Sequence, residues 1–590
     1  MLGQRGPQRG LFEADTAYGD FVGRNTFYGF LAGQRGELFR DEDFRALYTL
    51  DNGRPSVPPS LLATALVLQT YDRVSDDEAK QRADYDLRWK VALGVGLDER
   101  PFAKSTLQEF RAQLIVHQEQ AAIFQRSLEL ARRRGHFPKG RKLKAALDTT
   151  NILGRGAVKD TYNLLADGIV LLARVLAKQA GQRLVDWAQR AGLGRYVSGP
   201  SLKGQAEIDW SDGAARRRFL GEIVADADHL LELARTARTA LVEGSPDEAA
   251  LVEAAGLLGR VLLQDVQRRE DGPALRQGVA VDRLVSVHDP ETRHGRKSAR
   301  KRFDGHKAAV AVDTESQLIT AVAVLPGNAQ DHEQALALVE QTEANSGCAV
   351  AEAHADGAYG DGETRQAFAD AGRALVAKAA GDADTSYLPK SAFMIDLEAG
   401  TCRCPAGQLA QRRQSLKHGG ALFQFDAAMC GACPLRAGCV KGKGGRTIRE
   451  HPQEALLQQA RARQASPRGP GDRARRQVVE HRLARLVQLG IRQARYVGRA
   501  KTLFQLLLAA AVANLTLLAN QDLAGTSPSV AAGLLLSALA ALLAVWNGPQ
   551  VARRLAPARP SLRPGYTAAT MRLSSEPSLV FKTPGCRPSF

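Results

Sequence analysis

Three acidic residues of this chain stand where carboxylates do chemistry. Asp356 lies in AEAHADGAYGDG, residues 351–362, where the apolar run from Cys348 reads as a short buried strand and Gly357, Gly360 and Gly362 break it. A carboxylate in that setting either closes the strand as an Asx-turn or presents an acid to a metal ion at a sheet edge. Asp148 lies in KAALDTTN, residues 144–151, which reads as a second short strand ending on a lone acid, with Lys142 and Lys144 just before it. Glu480 lies inside the basic helical stretch DRARRQVVEHRLARL, residues 472–486. Phosphodiester chemistry without a covalent intermediate uses two divalent cations roughly 3.5–4 Å apart. Hard cations such as Mg²⁺ take carboxylate oxygens, water and phosphate. Three acids far apart in sequence and convergent in space meet that need, but 63 acidic residues offer many triplets. The acids alone leave both readings of Asp356 open.

A second chemistry is written in sulfur. Of seven cysteines, five fall within residues 402–439, as Cys402-Arg-Cys404, Cys430-Gly-Ala-Cys433 and Cys439. Clustering of this kind argues for a metal site in a reducing compartment rather than a disulfide framework. Cys430-x2-Cys433 has zinc-knuckle spacing; Cys404 and Cys439 complete a tetrahedral set, with Cys402 as the spare. Reduced, unligated thiols are the alternative. Thiolates suit Zn²⁺ and carboxylates suit Mg²⁺, so this is expected to be a structural site apart from the acids.

The net charge of +17 points to a polyanionic partner, nucleic acid first. Basic segments 293–307 and 461–485 flank the acids in sequence; Arg296, Lys297, Arg300, Lys301 and Arg302 are candidate phosphate contacts, with a solvated charged face as the plain alternative. A hydrophobic content of 44% excludes a disordered chain. The N-terminal MLGQRGPQRGLFEAD lacks the apolar core of a signal peptide.

The elements that must position these residues follow from periodicity and breakers. Residues 1–135 read as helical: Pro58–Tyr71, a helix with the capping box Ser75-x-x-Glu78, and one from Pro101 with Ser105 as N-cap. They suit a helix-turn-helix-like DNA-binding unit or a plain packing or dimerisation domain. Residues 160–275 read as long amphipathic helices, an all-helical insertion with Trp187 and Trp210 in its core. A basic loop, 293–307, opens onto a hairpin of 308–313 and 318–325, with Asp313 as a turn residue; Asn328 and Asp331 are candidates to support an active-site loop, with structural turn roles as the favoured alternative. A helix at Gln334–Ala344, the Asp356 strand, a helix near Gly362–Gly372 and a strand at Ala374–Ala379 complete an α/β sheet with mixed pairing. Thr502–Asn520 is nearly all apolar and expected to be buried. Val530–Trp546 is apolar but short for a membrane span, so two packed helices are favoured over an anchor. The tail 555–590 is expected to be disordered.

Taken in order, these motifs resemble a DDE transposase of a bacterial insertion sequence, closest to the IS1182 group of the IS4/IS5-like family. LDTTN at 147–151 is similar to the family's first-Asp strand, and GHKAAVAVDTESQLITAVAVLPGNAQDHEQA at 305–335 to its hairpin and loop. HADGAYGDG at 354–362 is similar to the second-Asp strand, and RARRQVVEHRLARLVQLGIRQARYVGRAKTLFQ at 473–505 to the helix with the catalytic glutamate. The resemblance covers roughly residues 20–520 and implies an α/β, RNase H-like catalytic core built from 136–160, 280–395 and 472–522. That core would follow an N-terminal helical domain (1–135) and be interrupted by a helical insertion (161–279) and a small Cys-rich insertion with a basic linker (396–471). Residues 523–590 would add an apolar helix and tail.

It further implies Asp148, Asp356 and Glu480 as the catalytic triad and the ligands of two Mg²⁺ ions (or Mn²⁺), the aspartates ligating both and Glu480 one. Arg476, one helical turn before Glu480, stands where the family signature has arginine and would contact a DNA phosphate. The signature's tyrosine and lysine positions hold Arg473 and Val487 here. Glu450 and Glu454 are rival third acids in a less fitting context. The implied partners are the inverted-repeat ends and target DNA, and a second copy in a synaptic complex. The implied place is the cytoplasm at the nucleoid, with no membrane association.

Overall fold

The strand that carries Asp148 is the middle of the molecule. Leu143–Leu153 (β1) alternates nothing: Leu143 and Ala145–Leu147 are buried on both faces, as a central strand requires. The strand does not end on Asp148, contrary to the sequence reading. Thr149, Thr150 and Asn151 continue the ladder, opposite Ala309, Ala308 and Lys307. The polar triplet looks like a turn, but two of its members are β-branched and sit well on a pleated surface.

In this computed structural model, residues 1–5, 13–49, 53–298, 300–379 and 387–525 are described. The other sheet strands are Arg293–Arg296 (β2), Arg302–Asp313 (β3), Ile319–Pro326 (β4), Val350–Ala355 (β5) and Ala374–Ala377 (β6). The order across the sheet is β3-β1-β5-β6, with β2 and β4 both on the outer side of β3. β3 is long enough for two partners: Arg302–Gly305 pair with β2 and His306–Val312 with β4. β3 runs antiparallel to β1, whereas β1, β5 and β6 are parallel. Gly305 has φ 152°, and a Cβ there would lie 2.0 Å from the Ile152 carbonyl oxygen. Only glycine lets the end of β1 and the start of β3 come this close.

The basic stretch 293–307 is therefore not a loop but the β2–β3 hairpin and its tip. Charged side chains hide the strand signal because they point outward from an edge. The hairpin of β3 and β4 stands as expected. The following helix spans Ala335–Ser346, the next Gly362–Asp370, and β6 stops at Ala377, each within two residues of the expectation.

Three helices finish the sheet: Glu454–Ala465 (α1), Gly469–Gln488 (α2) and Arg499–Gly525 (α3). α2 packs across β1, β3 and β5. α3 is long and apolar enough to cross a membrane, yet it is mostly buried within the protein. Its residues Leu506–Leu515 share one hydrophobic core with the sheet and with Leu61–Leu68 of the N-terminal helices. The Asn514 amide stitches α3 to β4, accepting from Ile319 N–H (2.9 Å) and donating to the Ile319 carbonyl (2.8 Å).

Ser75 caps its helix by accepting from Glu78 N–H, but the Glu78 carboxylate turns to Arg82, so the box is half made. Ser105 is no cap: the helix starts at Lys104, and Ala103 precedes it. The region after β1 has its own core, formed by Thr161–Gln179, Gly213–Arg238 and Pro246–Asp265. It is not wholly helical, because Val266–Arg269 and Gly272–Leu275 close it as a small hairpin. Trp187 and Trp210 pack against this core, Trp210 edge-on to Tyr162 and Phe219. A third core holds Phe393, Ile395, Cys402, Phe423, Phe425, Cys439 and Ile448. Val530–Trp546 and 555–590 lie outside the described residues.

Candidate active site

The β1–β5 register brings the first two acids together. Ala146 pairs with His354 in parallel strands. Asp148 and Asp356 each lie two residues further along, side by side where β5 ends. Asp356 also makes the turn that its glycines announce: its Oδ1 accepts from Ala358 N–H at 2.8 Å and caps the turn Gly357–Tyr359. The two readings of this residue are compatible, since the turn bond uses Oδ1 alone. Asp148 Oδ1 accepts from the neighbouring Thr149 N–H at 2.7 Å.

The third acid comes from α2. Val479, Leu483 and Leu486 are buried against the sheet, which leaves Arg476 and Glu480, four residues apart, on the face at the sheet's edge. Arg476 Nη2 lies 2.8 Å from Glu480 Oε1. Asp148, Asp356 and Glu480 line one cleft of about 630 Å³, together with Asn151, Arg296, Lys297, Lys307, Asp331, Arg476 and Arg492. Burial, then the nearby charges of Asp356 and Glu480, push the Asp148 carboxyl up to about 6, against the pull of Thr149 N–H and Arg476. A set of carboxylates converging on one cleft fits a hard divalent cation, whose preferred ligands are oxygens.

Of the five basic hairpin residues singled out from sequence, Arg296 and Lys297 line the cleft. Arg300, Lys301 and Arg302 are exposed near the hairpin tip and do not line it. Asp331, read as a structural loop residue, lines the cleft as a fourth carboxylate, held by Lys307 Nζ at 2.8 Å. Arg492 bonds Asn151 Oδ1 at 2.5 Å and Thr150 Oγ1 at 3.2 Å, closing the cleft at the far end of β1. Nothing in the local pattern around 492 marks it, and the sequence presents Asp331 at most as a support of the loop; the fold brings both into the cleft. Tyr359 is fully buried, its hydroxyl has no hydrogen-bond partner, and burial followed by the charges of Asp148, Asp331 and Asp356 raises its pKa.

The rival acids are engaged elsewhere. Glu454 is buried between Lys390 and Arg461, and Glu450 pairs with Arg413 at 3.2 Å. Asp313 is buried at the β3–β4 turn, accepting from Ser316 N–H and from Arg141 at 2.9 Å, a structural role. Asn328 donates to Asp282 at 3.4 Å.

A second polar cluster lies one strand position back. Glu352, His354 and Asp472 place ligand atoms within 4.8 Å of one another. Arg463 already bridges the two acids, at 2.9 Å to Glu352 and 2.8 Å to Asp472, and Lys144 stands 3.5 Å from Glu352. His354, without a role from sequence, is buried here, and burial lowers its pKa. The cluster ties the start of α2 to β5, and so sets where Glu480 stands relative to Asp356.

Two family models match the sequence. A transposase domain of the type DUF772 matches residues 22–113, in the N-terminal helices. The Transposase DDE domain matches residues 403–519, from the cysteine-rich segment through α2 and most of α3. Neither match reaches the strands with Asp148 and Asp356. No curated protein and no solved structure matches. The two matches, one in the helices that share the core with the sheet and the other on the helix bearing Glu480, support a DDE transposase of an insertion sequence.

Proposed function

We propose that this protein binds the ends of its own insertion sequence, cuts them by metal-dependent hydrolysis and joins the freed 3′-hydroxyl to target DNA. The observation that carries the reading is the single cleft lined by Asp148, Asp356 and Glu480 and rimmed by Arg296, Lys297, Lys307, Arg476 and Arg492. The strand order, with β3 antiparallel between β4 and β1 and with β5 and β6 parallel beyond, suits an RNase H-like core. The match to the DDE domain family supports divalent metal use and DNA as partner. The IS1182 group is consistent with the same matches.

In this reading Asp148 and Asp356 hold two Mg²⁺ (or Mn²⁺) ions between them and Glu480 holds one. When bound, such ions supply Lewis-acid activation of the attacking oxygen and stabilise the leaving oxygen. Arg476 orients Glu480 in the free protein and turns to a phosphate when DNA enters, since a bidentate charge-assisted contact outcompetes an exposed ion pair. Arg296, Lys297 and Arg492 grip phosphates beside the scissile one, while Arg300, Lys301 and Arg302 reach the duplex further out. Lys307 holds Asp331, the fourth carboxylate of the cleft, in place. Two copies act together at paired ends, in the cytoplasm at the nucleoid.

The discriminating experiment offers the full chain a duplex bearing its element end, a shuffled duplex and a supercoiled target, with Mg²⁺. Nicking confined to the element end, with end DNA joined to the target, is the expected result. Equal cutting of the shuffled duplex and no joined product would instead mean a general nuclease on the same core.

A further inference from the structure

Residues 387–450 fold around a small core of their own, and the cysteines of this segment divide into two kinds. Cys402 is completely buried among Phe393, Ile395, Phe423, Phe425 and Ile448. Cys404, two residues on, points elsewhere: with Cys430, Cys433 and Cys439 it lines a single cavity of about 30 Å³, and Cys402 does not. Tight turns and one short helix present the four cysteines. Cys404 N–H donates to the Gln408 carbonyl and the Cys404 carbonyl accepts from Gly407 N–H, at 2.8 and 2.9 Å. The short helix Ala427–Gly431, capped by Asp426, delivers Cys430, and successive turns through Arg436 deliver Cys433 and Cys439.

None of the four is in a disulfide. Their sulfurs stand around the cavity without collapsing into a ligand-tight cluster; among the described residues only Glu352, His354 and Asp472 form one within 4.8 Å. Two arginines complete the wall. Arg446 donates to the carbonyls of Cys439 and Leu388, and Arg436 to that of Gly442. Arg446 Nε and Arg436 Nη1 are buried there without an acceptor. Buried N–H donors without partners are costly, and thiolate sulfurs are the acceptors at hand.

We propose that Cys404, Cys430, Cys433 and Cys439 bind one Zn²⁺ as a structural tetrathiolate site, with Cys402 excluded because it does not line the cavity. Binding releases the thiol protons and draws the four sulfurs in to tetrahedral distances. The net negative charge of a Zn²⁺ with four thiolates is met by Arg436 and Arg446. The proposal is independent of the catalytic reading, because thiolates take Zn²⁺ and not the ion that carboxylates take.

The test uses the full chain, purified without chelator, with zinc counted per chain and thiols probed by native alkylation. One zinc per chain is expected, with these four thiols protected. Cys404→Ser and Cys433→Ser should each fall well below one equivalent, and Cys402→Ala should keep it. Should the serine variants fail to fold, Co²⁺ titration of the chelator-stripped wild type decides, since tetrahedral thiolate coordination gives sulfur-to-cobalt charge-transfer absorption that carboxylates do not. Absence of that absorption, or a Cys404→Ser chain that keeps its zinc while Cys402→Ala loses it, would overturn the assignment.

Discussion

Asp356 carries two duties with one side chain. Its Oδ1 caps the turn that ends β5, while the residue lines the cleft opposite Asp148 and Glu480. The cation side of the cleft is equally residue-specific, and in the proposed function it sets the salt dependence of DNA binding. Arg296 and Lys297 are the hairpin residues within the cleft. If each neutralises one phosphate, Arg296→Ala with Lys297→Ala should reduce the slope of log K against log salt by about 1.8. Fluorescence anisotropy of end DNA across a salt series measures this, and an unchanged slope would remove both residues from the interface. Sequence motifs singled out the three acids and Arg476, and the fold brings all four into one cleft. Lys307 and Arg492 were not legible as cleft residues, and Asp331 only as a loop support, because each reaches the cleft through pairing with a distant strand or loop: Lys307 with Asp331, Arg492 with Asn151.

At the scale of elements, the site depends on where α2 and α3 sit on the sheet. Asn514 satisfies both backbone groups of Ile319 in a fully buried place. Asn514→Leu leaves an N–H and a C=O without partners and should cost about 2–6 kcal/mol, at about 1–3 for each group. Denaturant unfolding of the wild type and variant reads this directly. At the other end of α2, Arg463 joins Asp472 to Glu352 and sets the helix on β5. The Arg463 hydrogen bonds hold the Asp472 carboxyl below its ordinary value, outweighing partial burial. A depressed carboxylate contributes stability that is present above the unfolded pKa, near 4, and lost as pH falls through the folded one. Arg463→Met should therefore lower the melting temperature at pH 7, with the gap to wild type narrowing below about pH 4. A gap that stays constant with pH would mean the residue acts by packing alone. Elements were readable from sequence wherever apolar periodicity set them, as in the β3–β4 hairpin and α3. The β2–β3 hairpin and the second half of β1 were not, because charged and threonine-rich strands look like loops until their partners are known. Strand order was likewise closed to local reading, since β1 pairs with β3 and β5, each more than a hundred residues away in the chain.

At the scale of the whole molecule, the sheet, α2, α3 and the N-terminal helices share one core, while the helical insertion and the cysteine-rich segment each carry their own. Both interruptions fall between the acids in sequence, so the triad is assembled by long-range pairing and not by any local motif. In the proposed function the excess of 17 positive charges supplies general attraction to DNA, and the acid-lined cleft is the proposed place of chemistry. The most direct measurement is divalent-ion-dependent nicking of end DNA by the wild type and by Asp148→Asn, Asp356→Asn and Glu480→Gln, with end binding measured alongside. Metal-ion stabilisation of the transition state is worth several kcal/mol, so each variant should lose roughly a thousandfold or more in nicking while binding DNA as tightly as the wild type. Nicking at the wild-type rate by any one of the three would contradict a shared metal-dependent centre.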